Sequence, residues 1–294
     1  MVCFAPLTAY RPPEGSEDGR LVFNRRVCLS GIPIRVPCSK CVGCMMVRRR
    51  QWAVRCMHEK RMHSASAFVT LTYDDDHLPP GGFLVKRDLQ LFMKRLRKQR
   101  PTGLRFFACG EYGERTLRPH FHVLLLNTDF ADGRFYKASA SGSDLFTSRE
   151  LSSLWPDGHC DFGAVTFGSA AYVAGYVMKK AVVPVLLGLP SPFVVMSRRP
   201  GIGTSWFERY SDEAYKHDSA IMKGREVPLP RFYDGKFETL DPDRNIFGDS
   251  KRLARLKRLR RVRARLHPEE LSLRRLRVRE LVEQRKVELF AREF

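Results

Sequence analysis

The sequence predicts an α+β protein whose centre is an antiparallel β-sheet. Short apolar or alternating runs, typical of strands, are interleaved along the chain with longer segments that carry apolar residues at helical spacing. We expect the helices to pack on one face of the sheet and to leave the other face for a functional site. At 294 residues the chain is long enough for one moderate domain with appendages or for two small domains.

The predicted strands and helices alternate along the chain. Strands are expected at 67–73, 104–111, 120–126 and 162–167, and helices at 48–63, 86–99 and 169–181. The third strand is apolar on both faces beyond His122, so its far end should lie inside a covered sheet. A fifth strand is expected within 18–36 or 183–196. Residues 129–161, rich in Gly, Ser and Asp, are typical of a surface insertion.

Composition divides the chain into four regions. They are a Cys-rich basic N-terminal region at 1–66, a core domain at 67–185, an extension packed on the core at 186–250 and a basic helical tail at 251–294. The net charge is +20, and the tail supplies half of it, since it holds 16 Lys or Arg against 6 Asp or Glu. Such an excess indicates binding to a polyanion, with strongly salt-dependent affinity. The tail is either a contact arm for phosphates or partner proteins, or a partly disordered, solvated segment.

Two histidines lie at the head of the third predicted strand, in the run Pro119-His120-Phe121-His122. Side chains at positions i and i+2 of a strand lie on one face, so both imidazoles point the same way. Two imidazoles in this arrangement can bind one divalent metal and leave other coordination positions for a phosphate oxygen. The alternative is a pair of polar residues on a half-buried strand, because the pattern alone is weak.

A pair of tyrosines lies in the predicted helix that follows. Tyr172 and Tyr176 are one helical turn apart, and Lys179 and Lys180 follow in the next turn. Tyrosine becomes a nucleophile when a cation lowers its proton affinity and a metal polarises the phosphate, and the lysines and histidines would supply both. The alternative for the tyrosines is core packing, and the alternative for the lysines is a solvated helix end.

In this order the motifs resemble the HUH endonuclease superfamily, and more closely the replication initiation proteins of gokushoviruses, small single-stranded-DNA phages of the Microviridae. The superfamily pattern appears as Phe68-Val69-Thr70-Leu71-Thr72, Pro119-His120-Phe121-His122 and Tyr172-x-x-x-Tyr176-x-x-Lys179. The closer resemblance lies in Pro37–Cys44, Gln51–Ala53, Thr70–Tyr73, Cys109–Glu114 and Met196–Gly203. It runs from about residue 28 to about residue 235 and implies an RRM-like, five-stranded HUH nuclease core.

The resemblance implies rolling-circle initiation in the cytoplasm of a host bacterium. A tyrosine attacks single-stranded or locally melted origin DNA, keeps the 5′ phosphate as a covalent ester and frees a 3′ hydroxyl for a host polymerase. Tyr176 matches the tyrosine most widely shared in the superfamily, and Tyr172 is the alternate. Lys179 matches the position that stabilises the phenolate, while Lys180 would touch DNA. The sequence has no Walker A pattern, so strand separation would depend on a host helicase or on origin supercoiling.

The same resemblance implies a third metal ligand, a carboxylate from the strand before the histidines. Glu111, at the end of that strand, matches this position, and Glu114 is the alternative. Two histidines and one carboxylate suit Mg²⁺ or Mn²⁺, with the imidazoles favouring Mn²⁺. Either ion would polarise the scissile phosphate and orient it for in-line attack.

A cysteine cluster precedes the predicted core. Cys38, Cys41 and Cys44 follow the spacing of metal-binding thiolates. A structural Zn²⁺ would take Cys28 as its fourth ligand, or alternatively Cys56 or His58. An iron–sulfur cluster or plain reduced thiols would fit the same spacing. Disulfides are not expected, because no secretory signal is apparent and the implied chemistry belongs to a reducing cytoplasm.

Several basic residues are candidates for DNA contacts. They are Arg48, Arg49, Arg50, Lys180, Arg198 and Arg199. The first three open a predicted helix that would flank the DNA. The last two lie in a segment that forms either a phosphate-binding turn or a plain connector. No membrane-spanning segment is expected, because the longest apolar run, 181–196, contains three prolines.

Two other functions fit part of the sequence. A non-catalytic DNA-binding or packaging protein would explain the charge and the tail, but it leaves the histidine pair, Glu111 and the paired tyrosines without a role. A transposase or plasmid relaxase would share the active site, but the cysteine cluster and the Cys109–Glu114 segment match the phage group. The oligomeric state and the nick-site sequence are left open.

Overall fold

The computed structural model describes residues 3–13, 20–29, 31–100, 102–113, 116–139, 142–176, 188–239, 249–265 and 272–292. The chain forms two compact units. The smaller unit combines Met1–Arg48 with Lys257–Phe294, and the larger unit is Arg49–Leu256.

The described residues form strands and helices in an interleaved order. The strands are β1 (Leu7–Ala9), β2 (Ile34–Val36), β3 (Ser66–Tyr73), β4 (Arg105–Tyr112), β5 (Pro119–Leu126), β6 (Arg134–Ala138), β7 (Asp144–Thr147), β8 (Gly158–Gly163), β9 (Phe193–Met196), β10 (Ser219–Met222) and β11 (Arg225–Pro228). The helices are α1 (Val42–Lys60), α2 (Lys86–Gln99), α3 (Arg149–Leu154), α4 (Phe167–Tyr176), α5 (Thr204–His217), α6 (Arg231–Thr239), α7 (Asp249–Arg265) and α8 (Leu273–Arg292). None of the helices in this described part is long and apolar enough to cross a membrane.

Seven strands form an antiparallel sheet in the larger unit, in the order β6-β7-β8-β3-β5-β4-β9. The predicted α+β class with an antiparallel sheet is thus confirmed. β9 pairs with β4 and lies within 183–196, one of the two ranges that the sequence indicates for a further strand. The other range contains β2, which pairs with β1 in a separate two-stranded sheet.

One face of the sheet packs against α2 and α3. Burial alternates along β3, as expected for a strand that turns every second side chain toward a core. Trp155, which follows α3, is fully buried and donates its indole N–H to the carbonyl of Thr72. The apolar side chains of this first cluster include Val69, Leu71, Leu89, Phe92, Leu96, Phe121, Val123 and Leu151.

The other face of the sheet packs against α1 and α4. The buried side chains of this second cluster include Ala53, Cys56, Phe107, Cys109, Leu124, Leu126, Ala170, Val173 and Ala174. Helices on one face are therefore only half of the arrangement, since the face reserved for the functional site carries helices as well. The reason is that β4 and β5 bury apolar side chains on both faces, so each face needs a cover.

Residues 129–161 belong to the sheet, which corrects the prediction of a surface insertion. They contain β6, β7, α3 and the start of β8, and Leu151, Leu154 and Trp155 are buried in the first cluster. Ser148 caps α3 by accepting a hydrogen bond from the Leu151 N–H at 3.0 Å. The polar composition belongs to turns and exposed edges, and all five residues of β6 are exposed.

β8 begins four residues before the strand predicted at 162–167. Gly158 makes this start possible, because its φ is +148° and a Cβ there would lie 2.3 Å from the Asp74 amide nitrogen. The predicted strand ends early because the chain turns into α4. Thr166 and Ser169 accept each other's backbone N–H groups at 3.1 and 2.9 Å, which caps the start of this helix.

A third apolar cluster joins α5 and α6 to the end of α1. The His58 ring stacks on Trp206 with ring centroids 3.5 Å apart, and its Nδ1 lies 2.9 Å from the Tyr233 hydroxyl. Burial lowers the pKa of His58 to about 3, so the imidazole is neutral in the folded protein. The buried side chains of this cluster include Phe207, Ala214, Tyr215, Leu229, Phe237 and Leu253.

The smaller unit has little apolar core of its own. Within the described residues of its first 48 positions, the buried apolar side chains are Cys3, Phe4 and Ala9. Its strands are three residues long, and several large apolar side chains are exposed, including Phe23, Val27 and Ile32. α7 and α8 confirm the basic helical tail predicted from residue 251.

Candidate metal centre and its tyrosine

Glu111, His120 and His122 meet on one face of the central sheet and are called the Glu-His-His site below. One carboxylate oxygen, Oε1 of Glu111, lies 3.0 Å from Nε2 of His120 and 2.9 Å from Nε2 of His122. The three ligand atoms lie within 4.8 Å of one another. Glu111 and His122 are buried and His120 is half-buried, so the site is sheltered from bulk water.

The register of β4 and β5 produces this arrangement. Glu111 pairs directly with His120, and Cys109 pairs with His122. Residues directly opposite each other in an antiparallel pair share a face, and so do residues two apart along a strand. The three side chains that the sequence indicates as metal ligands therefore converge without any loop having to position them.

The two histidines differ in their protonation. Burial opposes the charged form of His120, but the hydrogen bond and charge of Glu111 outweigh burial and raise the pKa of His120. Burial dominates at His122 and lowers its pKa, with the neighbouring His120 acting in the same direction. His122 is therefore held in the neutral form that a metal ligand needs.

Tyr172 of α4 reaches the same site. Its hydroxyl donates a hydrogen bond of 2.9 Å to Oε1 of Glu111, the oxygen that both histidines contact. Its ring meets the His122 ring edge to face, with centroids 5.1 Å apart. Ala170, Val173 and Ala174 hold α4 against the sheet, while Tyr172 remains 39% exposed, so a substrate can reach the ring.

The remaining catalytic candidates lie partly or wholly outside the described residues. Tyr176 is the last residue of α4, and its side chain is not among those described. Lys179, Lys180 and the alternative ligand Glu114 also lie outside the described residues. Their roles therefore stay predictions from the sequence.

Two residues that the sequence did not single out as site residues support the histidines from behind. The Thr70 hydroxyl lies 3.3 Å from Nδ1 of His122 and also hydrogen-bonds the carboxyl of Asp161, whose pKa is raised by burial. Nδ1 of His120 lies 3.1 Å from the carbonyl oxygen of Arg118. Thr70 pairs with His122 on one side and with Asp161 on the other. Asp161 carries no motif, and only the strand register reveals it.

The cysteine cluster forms, but with a different fourth member. The thiols of Cys3, Cys38, Cys41 and Cys44 all lie within 4.8 Å of one another, and we call this group the four-cysteine site. The prediction of Cys28 is wrong, because that thiol donates to the Arg25 carbonyl at 2.8 Å within its own turn.

The two other predicted alternatives are occupied elsewhere. Cys56 is buried in the second cluster and His58 stacks in the third, both in the larger unit. In the four-cysteine site burial opposes ionisation of Cys38, yet the N–H groups of Lys40 and Cys41 lower the pKa of Cys38 to about 7. One thiol of the group is thus poised to become a thiolate near neutral pH.

The candidate DNA-binding arginines are at the surface. Arg48, Arg49 and Arg50 are exposed on α1, and Nε of Arg49 donates to the Ala171 carbonyl of α4 at 2.6 Å.

Arg198 and Arg199 are also exposed, in the segment between β9 and α5. The end of that segment is anchored, since Ile202 is buried and the Gly203 N–H donates to the buried carboxylate of Glu59. This anchoring favours a connector for residues 201–203 and leaves the two arginines free to contact a ligand.

Comparison with known proteins relates the chain to phage replication. Residues 66–181, which include β3, β4, β5 and α4, match the family model for the replication-associated protein ORF2. The chain is 32% identical over 280 residues to replication-associated protein VP4 of Bdellovibrio phage phiMH2K, which covers 90% of this chain and 86% of that protein. No solved structure matches it significantly.

Two further relatives carry similar names. The chain is 32% identical over 261 residues to replication-associated protein ORF2 of Spiroplasma virus 4, covering 81% of each protein. It is 29% identical over 210 residues to replication-associated protein ORF4 of Chlamydia phage 1, covering 67% of this chain and 52% of that protein. Since the first two matches span most of both chains and the predicted motifs agree with them, this chain belongs to the replication-associated proteins of Microviridae-type phages.

Proposed function

We propose that this protein initiates rolling-circle replication by nicking and rejoining single-stranded or locally melted DNA at a phage origin. One observation carries the proposal: the Tyr172 hydroxyl and both histidine Nε2 atoms contact a single carboxylate oxygen. A nucleophile held at a metal-ligand cluster is what a metal-dependent nickase and strand transferase needs. Family membership supports replication as the process that this chemistry serves.

The Glu-His-His site would hold one Mg²⁺ or Mn²⁺. The fit rests on the donor set, because one carboxylate and two imidazoles lie close enough to share an ion. Such an ion supplies Lewis-acid polarisation of the scissile phosphate. Thr70 and the Arg118 carbonyl hold the outer ring nitrogens, so that both Nε2 atoms face the carboxylate.

Tyr172 is the proposed first nucleophile. Its oxygen attacks the phosphorus of the scissile phosphodiester in line with the leaving 3′ oxygen. The new bond joins the phenolic oxygen to phosphorus, the bond from phosphorus to the 3′ oxygen breaks, and the freed 3′ oxygen gains a proton. Glu111 accepts the phenol's hydrogen bond and so orients the tyrosine before attack. Rejoining is the reverse reaction, in which a 3′ hydroxyl attacks the phosphotyrosyl ester.

The second tyrosine would serve the next strand transfer. Tyr176 lies one helical turn beyond Tyr172, so a second attack could occur while the first ester persists. Lys179, three residues further on, would stabilise the phenolate. Both assignments rest on the sequence motif Tyr-x-x-Lys.

The proposed substrate is phage origin DNA inside the host bacterium. A net charge of +20 favours binding to a polyanion. Arg48, Arg50, Arg198 and Arg199 are exposed and supply candidate phosphate contacts, with Lys180 predicted beside them. A host helicase would separate the strands, and a host polymerase would extend the freed 3′ hydroxyl.

A cleavage assay tests this function directly. Single-stranded oligonucleotides that tile the phage origin would be incubated with the full chain and Mn²⁺ or Mg²⁺, with EDTA as the metal-free control. Denaturing protein gels would reveal a covalent adduct. We expect a metal-dependent adduct that Tyr172→Phe lowers at least about 10³-fold, because the attacking oxygen is gone.

Tyr210→Phe is the matched control, since Tyr210 lies on α5 and loses the same hydroxyl. It should cleave like the wild type. Salt-sensitive binding without an adduct on any tile would overturn the nickase proposal and favour the DNA-packaging alternative. An adduct that persists in Tyr172→Phe but not in Tyr176→Phe would reassign the first nucleophile.

A further inference from the structure

We infer that the four-cysteine site binds one structural Zn²⁺, and that Cys3 is the ligand that closes it. The ion would fasten the N-terminal segment to the first turn of α1, where Cys44 lies. This inference is independent of the proposed nicking activity, because it concerns the folding of the smaller unit and rests on other residues.

The sulfur positions fit a single tetrahedral ion. A Zn–S bond of about 2.3 Å gives tetrahedral S–S edges of about 3.8 Å. The Sγ atoms of Cys38 and Cys44 are 3.9 Å apart, and so are those of Cys3 and Cys41. These are two opposite edges of the tetrahedron, and each of the remaining edges is at most 4.8 Å.

Backbone N–H groups point at the sulfurs as they would at thiolates. Cys38 accepts from the N–H groups of Cys41 at 3.2 Å and Lys40 at 3.4 Å. Cys3 accepts from the Cys38 N–H, and Cys41 from the Phe4 N–H, both at 3.3 Å. Donors aimed at sulfur favour the thiolate, which is the form that binds metal.

The smaller unit lacks another source of stability in this region. Cys3, Phe4 and Ala9 are its buried apolar side chains among the described residues of positions 1–48. Two strands of three residues are too short to hold a segment in place by themselves. Small units with so little core are held by disulfides or metals, and all the cysteines here are free thiols.

The pairing of β1 with β2 explains why Cys3 takes part. Leu7 pairs with Val36 and Ala9 with Ile34. Continuing this register toward the N-terminus brings Cys3 opposite the turn that contains Cys38 and Cys41. No spacing rule in the sequence shows this, because the partners are 35 or more residues apart.

Cys28 supplies a matched control. It is a half-buried thiol in the same unit, but its partners are the Arg25 carbonyl and the Gly31 N–H within its own turn. Its loss should therefore leave metal binding unchanged, whereas loss of Cys3 should remove one thiolate from the ion.

The experiment measures metal content and ligand type on the full chain. Wild type, Cys3→Ser and Cys28→Ser would be purified under reducing conditions, and bound zinc and iron would be quantified by mass spectrometry. Co²⁺ would then replace the ion, because its visible absorption distinguishes tetrahedral thiolate ligation from the oxygen and nitrogen ligands of the Glu-His-His site.

We expect zinc and a tetrathiolate Co²⁺ spectrum in wild type and in Cys28→Ser. In Cys3→Ser, Co²⁺ affinity should fall at least about tenfold and the spectrum should shift, since one sulfur ligand is lost. Iron in place of zinc, disulfides among these cysteines, or a wild-type protein without a thiolate spectrum would overturn the inference. Loss of zinc in Cys28→Ser but not in Cys3→Ser would do the same. If Cys3→Ser does not fold, the wild-type and Cys28→Ser spectra still decide.

Discussion

The Glu-His-His site and the four-cysteine site are built in opposite ways. The first lies on adjacent strands of a seven-stranded sheet whose two faces are covered by apolar clusters. The second lies on turns beside two three-residue strands with few buried side chains. In the first case the fold positions the ligands, and in the second case the bound ion would position the fold. Metal at the one site should therefore matter for chemistry, and metal at the other for stability.

The largest expected effect is on cleavage by a Glu111→Gln variant. The amide is a weaker metal ligand and a poorer acceptor for the Tyr172 hydroxyl, so we expect cleavage to fall by about 10³-fold. The fold should persist, because the surrounding sheet does not depend on this carboxylate. Cleavage rate and thermal midpoint would be measured together. Glu226→Gln, at an exposed position of β11, is the control. A variant that unfolds would break the contrast between the two sites.

Removal of zinc should loosen the smaller unit and leave the central sheet intact. After treatment with a thiol reagent that displaces zinc, we expect amide exchange in residues 3–13 and 34–41 to accelerate by about 100-fold, since metal binding is coupled to folding. Exchange in β3 and β5 should not change. Mass-spectrometric hydrogen exchange gives both rates in one sample. Equal acceleration in the two regions would mean that the sites are not separable.

The larger unit should instead respond to protons at His58. Its pKa falls from 6.5 in the unfolded chain to about 3 when folded, so the unfolded state binds the extra proton as the pH drops. Stability is therefore full above the unfolded value and declines below it, by about 2 kcal/mol between about pH 7.5 and about pH 5. Urea midpoints would show the decline. His58→Phe should flatten it, whereas His217→Gln, at an exposed position, should not.

A smaller effect is expected from the support behind the histidines. Thr70→Val keeps the shape of the side chain but loses the contact to Nδ1 of His122 and to Asp161. Loss of such an outer contact typically lowers metal affinity or activity by about tenfold to 100-fold, and we expect the lower end here. Thr70→Ser keeps the hydroxyl and should cleave normally. The readout is the Mn²⁺ concentration that gives half-maximal cleavage. If Val and Ser behave alike, the hydroxyl has no role.

The smallest expected effect concerns an exposed arginine. Arg50→Gln removes one candidate phosphate contact on α1, so DNA binding should weaken a few-fold and the salt dependence should become shallower by about one charge. Binding would be measured by fluorescence anisotropy at several salt concentrations. Arg225→Gln, an exposed position on β11, is the control. An unchanged salt slope in Arg50→Gln would place the DNA elsewhere.

Periodicity predicted those parts of the fold in which local pattern and tertiary packing agree. α2 occupies the predicted range 86–99, and β3, β4 and β5 lie within one residue of their predicted limits. The Glu-His-His site followed because its ligands lie on adjacent strands that the pattern identifies. β6 was missed because all its side chains are exposed, so no alternation marks it.

What the sequence could not supply is strand register. Asp161 meets Thr70, and Cys3 meets Cys38, only through pairings between segments far apart in the chain. Cys28 was chosen by its proximity in sequence, but its own turn occupies its thiol. Long-range pairing depends on the hydrophobic pattern of both strands together and leaves no short motif at either partner.

The direct pairing of Glu111 with His120 also limits how this family can gain or lose residues. One residue inserted between His120 and His122 would turn a ligand to the opposite face of the sheet. The connection from β4 to β5 lies beyond the paired residues, so its length can change without moving any ligand. Gaps in an alignment of relatives should therefore fall in that connection and not between the two histidines.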